Sequence, residues 1–160
     1  MSFYNNLQNK VSEYRATQEQ YWIDLQLRMA RFQPGLISYL GADGLELCDS
    51  KDNKYPIVAV GELKGDFVET VPSVKFQKID GDQNCLHFYV QVNLSKANSE
   101  IIDIERIFEC YFWRKHDDYT MNIDGVNIMC VKVLDKTDFT SAYDAIYQNL
   151  EKLVDKTRYE

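Results

Sequence analysis

Apolar side chains recur at spacings of three and four along the first 32 residues, which is the period of one helix face. This stripe consists of Leu7, Val11, Tyr14, Tyr21, Leu25 and Phe32. It predicts a single helix over residues 3–32 that ends at Pro34 and Gly35, because proline cannot continue a helix. At 1.5 Å per residue this helix is ~45 Å long, which exceeds the width of a small domain. The helix therefore either bends or projects its first turns.

The first turns of this helix have two interpretations. In one, they project and pair with a second chain as a coiled coil, and the candidate dimer contacts are Tyr4, Leu7, Val11 and Tyr14. In the other, the helix wraps around the sheet of its own domain, which is the favoured interpretation for residues 20–32. The two interpretations differ in whether the first apolar side chains are exposed.

The middle of the chain carries the period-two pattern of strands together with every turn residue. All glycines and prolines lie between Pro34 and Gly125, so both ends are free to be helical. Residues 85–94 alternate cleanly between apolar and polar, and residues 108–113 are apolar on both faces. Asp124 and Gly125 suit the tight turn of a hairpin. This pattern predicts an antiparallel sheet.

A second amphipathic helix is predicted over residues 138–157, with Asp138 or Thr137 as its cap. Its buried stripe consists of Phe139, Ala142, Ile146, Leu150 and Leu153. We therefore predict a single α+β domain over residues 1–160, with an antiparallel sheet of five or six strands flanked by a long N-terminal and a C-terminal helix.

Two stretches, residues 36–55 and 97–106, are compatible with more than one structure. The second fits either a short helix or the start of a strand. A helix there would give an element order similar to that of small acidic dimeric chaperones of bacterial secretion systems, and no sequence motif accompanies this similarity of order.

Composition narrows the range of partners and compartments. The 160 residues carry a formal net charge of −7 at pH 7 and contain no basic tract, so we expect no binding to duplex DNA or RNA. No apolar run approaches ~18 residues, and the N-terminus lacks the features of a signal peptide, so we expect no membrane partner. The four cysteines, Cys48, Cys85, Cys110 and Cys130, have no paired spacing, which indicates reduced thiols and a cytoplasmic protein.

Catalytic and metal-binding motifs are absent from the sequence. It contains no glycine-rich phosphate loop, no Gly-x-Ser-x-Gly and no His-Glu-x-x-His. The acidic loops at 49–53 and 80–84 lack the spacing of a calcium loop. His87 has no carboxylate neighbour in sequence, and His116 lies in a charged stretch. We therefore expect no enzyme activity, no cofactor and no metal.

One sheet face is the candidate binding surface. Its residues are His87, Tyr89, Gln91, Tyr111 and Trp113. Aromatic side chains with polar tips are enriched at protein interfaces, so this face is interpreted as a dimerisation or partner-binding surface. The competing interpretation is that a helix covers it, because two helices are available for two faces.

These features lead to an expected function. The chain is predicted to be a non-catalytic cytoplasmic protein-binding module, of an adaptor, chaperone-like or immunity type, that acts as a homodimer. The alternative is a small-molecule binder or enzyme with an aromatic pocket between the sheet and a helix, lined by His87, Tyr89, Tyr111 and Trp113.

Overall fold

The computed structural model describes residues 2–160, which form an α+β fold as the sequence predicted. The helices are α1 (Phe3–Met29), α2 (Phe32–Tyr39) and α3 (Thr140–Leu153). The strands are β1 (Glu46–Cys48), β2 (Lys54–Pro56), β3 (Val58–Lys64), β4 (Phe67–Thr70), β5 (Gln77–Ile79), β6 (Cys85–Ser95), β7 (Ile102–Lys115), β8 (Asp118–Ile123), β9 (Val126–Val133) and β10 (Lys136–Asp138). A short 3₁₀ turn lies between β4 and β5, at Ser73–Lys75, and another lies after α3, at Lys156–Tyr159.

The main sheet has eight strands, more than the five or six predicted. Its order is β10-β9-β8-β7-β6-β3-β4, and β5 pairs with the remaining length of β6 beside β3. All pairings among these strands are antiparallel. The shortest strands of this sheet, β5 and β10, are three residues each, which is too short for a clear period-two pattern. A separate two-stranded sheet joins β1 to β2.

Residues 102–106 belong to a strand, which settles one of the two ambiguous stretches. Ile104 pairs with Leu94 and Ile102 with Ser95, so β7 extends along almost the whole of β6. A bulge between Leu94 and Ser95 shifts the register there. The helical alternative for 97–106 is therefore wrong, and the element order is not that of the secretion chaperones.

The N-terminal helix ends before the predicted terminator. α1 stops at Met29, and α2 begins at Phe32, so Pro34 and Gly35 lie inside the second helix. Proline is tolerated in a first turn because those N–H groups have few intrahelical partners. The prediction that these two residues end the first helix is therefore wrong. The C-terminal helix is also shorter than predicted, and Asp138 accepts a hydrogen bond from the Thr140 backbone N–H at 2.9 Å.

The hydrophobic core lies on one side of the sheet only. Phe32, which is fully buried, packs edge-on against Phe88 of the sheet and Phe139 before α3. Tyr143 of α3 donates a hydrogen bond to the Phe32 carbonyl at 3.1 Å. The buried part of α1, α2 and α3 thus all pack on the face that carries Phe88 and Phe112. The expectation that two helices cover two faces is wrong.

Arg28 interrupts the apolar stripe of α1 because it anchors the helix to the far end of the sheet. Its side chain is 5% exposed, and its guanidinium lies 4.3 Å from the centre of the Tyr119 ring. It donates hydrogen bonds to the Lys136 carbonyl at 2.7 Å and to the Leu134 carbonyl at 3.3 Å, and it pairs with Asp24 at 3.0 Å. A buried guanidinium is tolerated here because most of its donors have partners.

Candidate functional site

The first half of α1 extends beyond the domain. Residues 3–17, here called the projecting helix, are all exposed and span ~22 Å. The four candidate dimer contacts, Tyr4, Leu7, Val11 and Tyr14, are between 57% and 68% exposed. These residues repeat at heptad spacing and continue the stripe that Tyr21 and Leu25 carry into the domain. The apolar stripe of α1 therefore extends beyond the part of the helix that packs against the hydrophobic core.

The projecting helix leaves the domain where β6 begins and β7 ends. Tyr21 marks this exit, because its hydroxyl donates to the Asn84 carbonyl and accepts from the Arg114 backbone N–H at 3.4 Å. Asp24, less than one turn later, pairs with Arg114 at 3.3 Å. The helix is thus fixed to the sheet at Tyr21, and the residues before Tyr21 are held only by hydrogen bonds within the helix.

Positive charge flanks the exposed stripe on both sides. At 100° per residue, Lys10 lies on one flank and Arg15 on the other, while Glu13 lies on the opposite side of the helix. The Arg15 guanidinium lies 5.4 Å from the centre of the Tyr14 ring. A partner that covers the stripe therefore meets a cation at each edge.

The second candidate surface is the sheet face turned away from the helices, here called the open face. It consists of His87, Tyr89, Glu109, Tyr111, Trp113, Thr120, Met129 and Val131. Within residues 2–160 no helix covers it, and Met129 and Val131 are 60% and 62% exposed. Tyr111 and Trp113 are half-buried by their neighbours on the same face. Strand β9 contributes two of these residues, which the sequence analysis did not include.

A cluster of hydrogen bonds holds the centre of the open face. His87 lies between Glu109, at 3.1 Å from Nε2, and Gln77, at 3.0 Å from Nδ1. The Tyr111 ring stacks on His87 with centroids 4.5 Å apart. Tyr89 donates its hydroxyl proton to Glu109 at 3.0 Å. Burial raises the pKa of Tyr89 and Tyr111, and the Glu109 carboxylate raises both further, so the two hydroxyls stay neutral.

Glu109 is the carboxylate neighbour of His87 that the sequence analysis did not find. The two residues are 22 positions apart and meet because Tyr89 pairs with Glu109 across the sheet. Only the register of β6 against β7 brings them together. The cluster contains no activated nucleophile: burial raises the pKa of the nearby Cys85 thiol, which disfavours its thiolate.

Gln91, the fifth predicted residue of this face, lies in the interior instead. It is 4% exposed, and its side-chain oxygen accepts a hydrogen bond from the Val68 backbone N–H at 2.7 Å. Its amide nitrogen donates to Asn93, which in turn donates to the Pro56 carbonyl. The hairpin of β3 and β4 bends back over this end of the sheet. Gln91 is therefore closed to a partner.

Two clefts of the structure lie away from the aromatic residues of the open face. One cleft of about 630 Å³ lies between the helices and β4, lined in part by Gln26, Ala30 and Val71. Another of about 1010 Å³ lies between the projecting helix and the loop around Asp80. The predicted pocket between sheet and helix therefore does not include His87, Tyr89, Tyr111 or Trp113, whose face carries no helix.

The part of the chain that the structure describes contains neither a cluster of metal ligands nor a disulfide. No group of three or more histidine, cysteine, aspartate or glutamate side chains is placed to hold a metal ion there. The four cysteines are free thiols, and burial raises the pKa of Cys110 well above its ordinary value. Among the helices of residues 2–160, none combines the length and apolar character needed to cross a membrane.

Comparison with protein-family models, curated proteins and solved structures found no match to this chain.

Proposed function

We propose that this chain is a non-catalytic protein-binding module, of an adaptor, chaperone-like or immunity type, that works as a homodimer. The observation that carries the proposal is the projecting helix, whose apolar stripe from Tyr4 to Tyr14 is exposed along about three turns. Isolated helices of this length are marginal in water, so a packed partner stabilises it. Contiguous exposed apolar surface of this kind marks interaction sites in soluble proteins.

The open face supports the same proposal with an independent surface. It joins aromatic rings with exposed Met129 and Val131, a composition found at interface cores. Homodimers with two-fold symmetry are the commonest soluble oligomers, because one patch serves both partners. The projecting helix and the open face are therefore two exposed apolar surfaces that a second copy of the chain could cover.

The alternative function, a small-molecule binder or enzyme, has less support. A ligand pocket needs a concave wall around convergent polar groups. On the open face the side chains of His87, Tyr89, Tyr111 and Trp113 lie on a sheet without a second wall in the described residues. No specific observation favours this alternative over protein binding.

Charges placed on the stripe test the proposed homodimer. We expect the wild-type chain to have twice the monomer mass in light scattering at tens of micromolar. Replacing Leu7 and Val11 with glutamate should give a monomer, because two charges would have to be buried in the interface. Circular dichroism should change little, since both side chains are exposed in the monomer.

A matched double variant tests whether the position of the added charges, and not the charges alone, dissociates the dimer. Asn5→Glu with Asn9→Glu adds the same charges at the same spacing on the opposite side of the helix, and it should remain a dimer. A monomeric wild-type chain would refute the homodimer. A Leu7 and Val11 variant that stays dimeric would show that the stripe is not part of the interface.

A further inference from the structure

The projecting helix and the open face are two unpartnered surfaces of one chain, and they fit each other. We infer that the projecting helix of one copy lies across the open face of a second copy, while its own open face receives the helix of that copy. The inference rests on the proposed homodimer and goes beyond it by assigning which surface meets which. Three observations carry it.

The first observation is that the helix is poorly suited to pair with itself. In an antiparallel pair centred on the stripe, Lys10 faces Lys10 of the partner. In a parallel pair, Lys10 faces Arg15 of the partner, once on each side. Both arrangements place like charges at the flanking positions that normally carry opposite ones. A coiled coil of two copies is therefore disfavoured by the charges that flank the stripe.

The second observation is the opposite charge on the open face. Glu109 lies at its centre and is 48% exposed, with His87 and Tyr89 bonded to the same carboxylate oxygen. At the end of the face, Lys115 and Asp118 balance each other across β7 and β8. The open face is thus apolar and aromatic with one net negative charge. It complements a stripe flanked by Lys10 and Arg15.

The third observation is the match of size and position. The projecting helix is ~22 Å long, and the open face measures ~20 Å along β7 from Glu109 to Lys115. Tyr21 fixes the helix to the backbone of Arg114, next to Trp113 on the open face. The helix therefore leaves the domain at the same end of the sheet at which Trp113 lies. A two-fold axis near this end places each helix beside the open face of the other copy.

Two such contacts bury enough surface for a stable dimer. Aromatic side chains bury roughly 150–250 Å² each, and the stripe offers Tyr4 and Tyr14 together with Leu7 and Val11. Counting both sides, one helix on one face covers on the order of 1,000 Å², and two reciprocal contacts reach the upper end of the ~1,200–2,000 Å² of a standard interface. A single contact is at the lower limit of a biological interface, and the reciprocal arrangement doubles the buried area.

Mixing two differently blocked chains tests the inference. The helix-blocked chain carries Leu7→Glu and Val11→Glu, and the face-blocked chain carries Met129→Lys and Val131→Lys, which sets lysines against Lys10 and Arg15. Each chain alone should be a monomer, with dimer affinity lowered at least ~100-fold, because both contacts are lost. An equimolar mixture should form a heterodimer in native mass spectrometry, since one helix and one face remain intact in it. In the second contact the glutamates of one chain lie against the lysines of the other, and these opposite charges attract.

The outcomes distinguish the possible interfaces. If the face-blocked chain dimerises alone, the helices pair with each other and the inference is wrong. If the helix-blocked chain dimerises alone, the open faces pair with each other and the inference is equally wrong. If both are monomers and the mixture forms no heterodimer while the wild type is a dimer, helix and face do not meet. A monomeric wild type refutes the homodimer itself.

A charge variant supplies a second measurement on the same surface. Glu109→Lys should weaken the dimer of the otherwise wild-type chain by at least ~10-fold, because it places a cation beneath Lys10 and Arg15. Glu105→Lys is the matched control, since Glu105 is exposed on the same side of β7 but lies outside the open face. Equal dissociation constants for the two variants would contradict the proposed position of the helix.

Discussion

Replacing Phe32 with alanine is expected to lower the free energy of unfolding by about 3–5 kcal/mol, the usual cost of removing a fully buried phenylalanine. The ring lies where α2, α3 and the sheet meet, in contact with Phe88, Phe139 and Tyr143. The cavity cannot close easily, because its walls come from three different elements that would all have to move. Urea denaturation at one fixed protein concentration measures the loss, since dimerisation adds a concentration-dependent contribution.

Tyr159→Ala is the control for this variant. It also removes an aromatic ring, but Tyr159 is 89% exposed and lies outside both candidate surfaces. Its unfolding free energy should change by less than ~0.5 kcal/mol. A Phe32→Ala variant as stable as this control would mean that α2 and α3 do not share one core.

Replacing Gly61 with alanine is expected to cost about 2–3 kcal/mol, through crowding and not through a cavity. A Cβ at this position would collide with the Glu69 carbonyl oxygen and lie 2.7 Å from the Val71 backbone nitrogen. Both are backbone atoms, of Glu69 in β4 and of Val71 directly after it, so no side-chain rotation can relieve the collision. The hairpin would have to open, and the hydrogen bond from Val68 to Gln91 would lengthen.

Gly81→Ala is a matched control, because a Cβ there meets no heavy atom within 4 Å. It should leave the free energy of unfolding unchanged within ~0.5 kcal/mol. Equal stabilities of the two alanine variants would contradict the close approach of the backbone at Gly61, and with it the covering of Gln91.

The parts of the fold that the sequence predicted are those with a long, regular pattern. Alternation over residues 85–94 corresponds to β6, and the turn at Asp124 and Gly125 has positive φ angles of 48° and 89°, as a type I′ hairpin requires. The stripe from Leu7 to Leu25 corresponds to one continuous helix. These features depend on neighbours in sequence, so local patterns are sufficient to predict them.

The parts that could not be predicted depend on which distant residues meet. The pairing of Tyr89 with Glu109 sets the cluster around His87, and no local pattern encodes that register. Gln91 alternates with apolar residues like an exposed side chain, yet a hairpin from elsewhere in the chain covers it. The side of the sheet on which α1 and α3 pack is also decided by tertiary contacts and not by a local pattern. The open face therefore came from the structure, although four of its residues were candidates from the sequence.

A cross-link from the projecting helix is the most direct test of the reciprocal dimer. Benzoylphenylalanine, a photoreactive amino acid, placed at Tyr4 reacts on illumination with whatever covers the stripe. The reciprocal dimer predicts a covalent dimer whose adduct, located by mass spectrometry of peptides, lies on the open face of the partner, within residues 85–89 or 107–131. An adduct within residues 3–18 of the partner, or a chain that stays uncross-linked at concentrations where the wild type is a dimer, would contradict it.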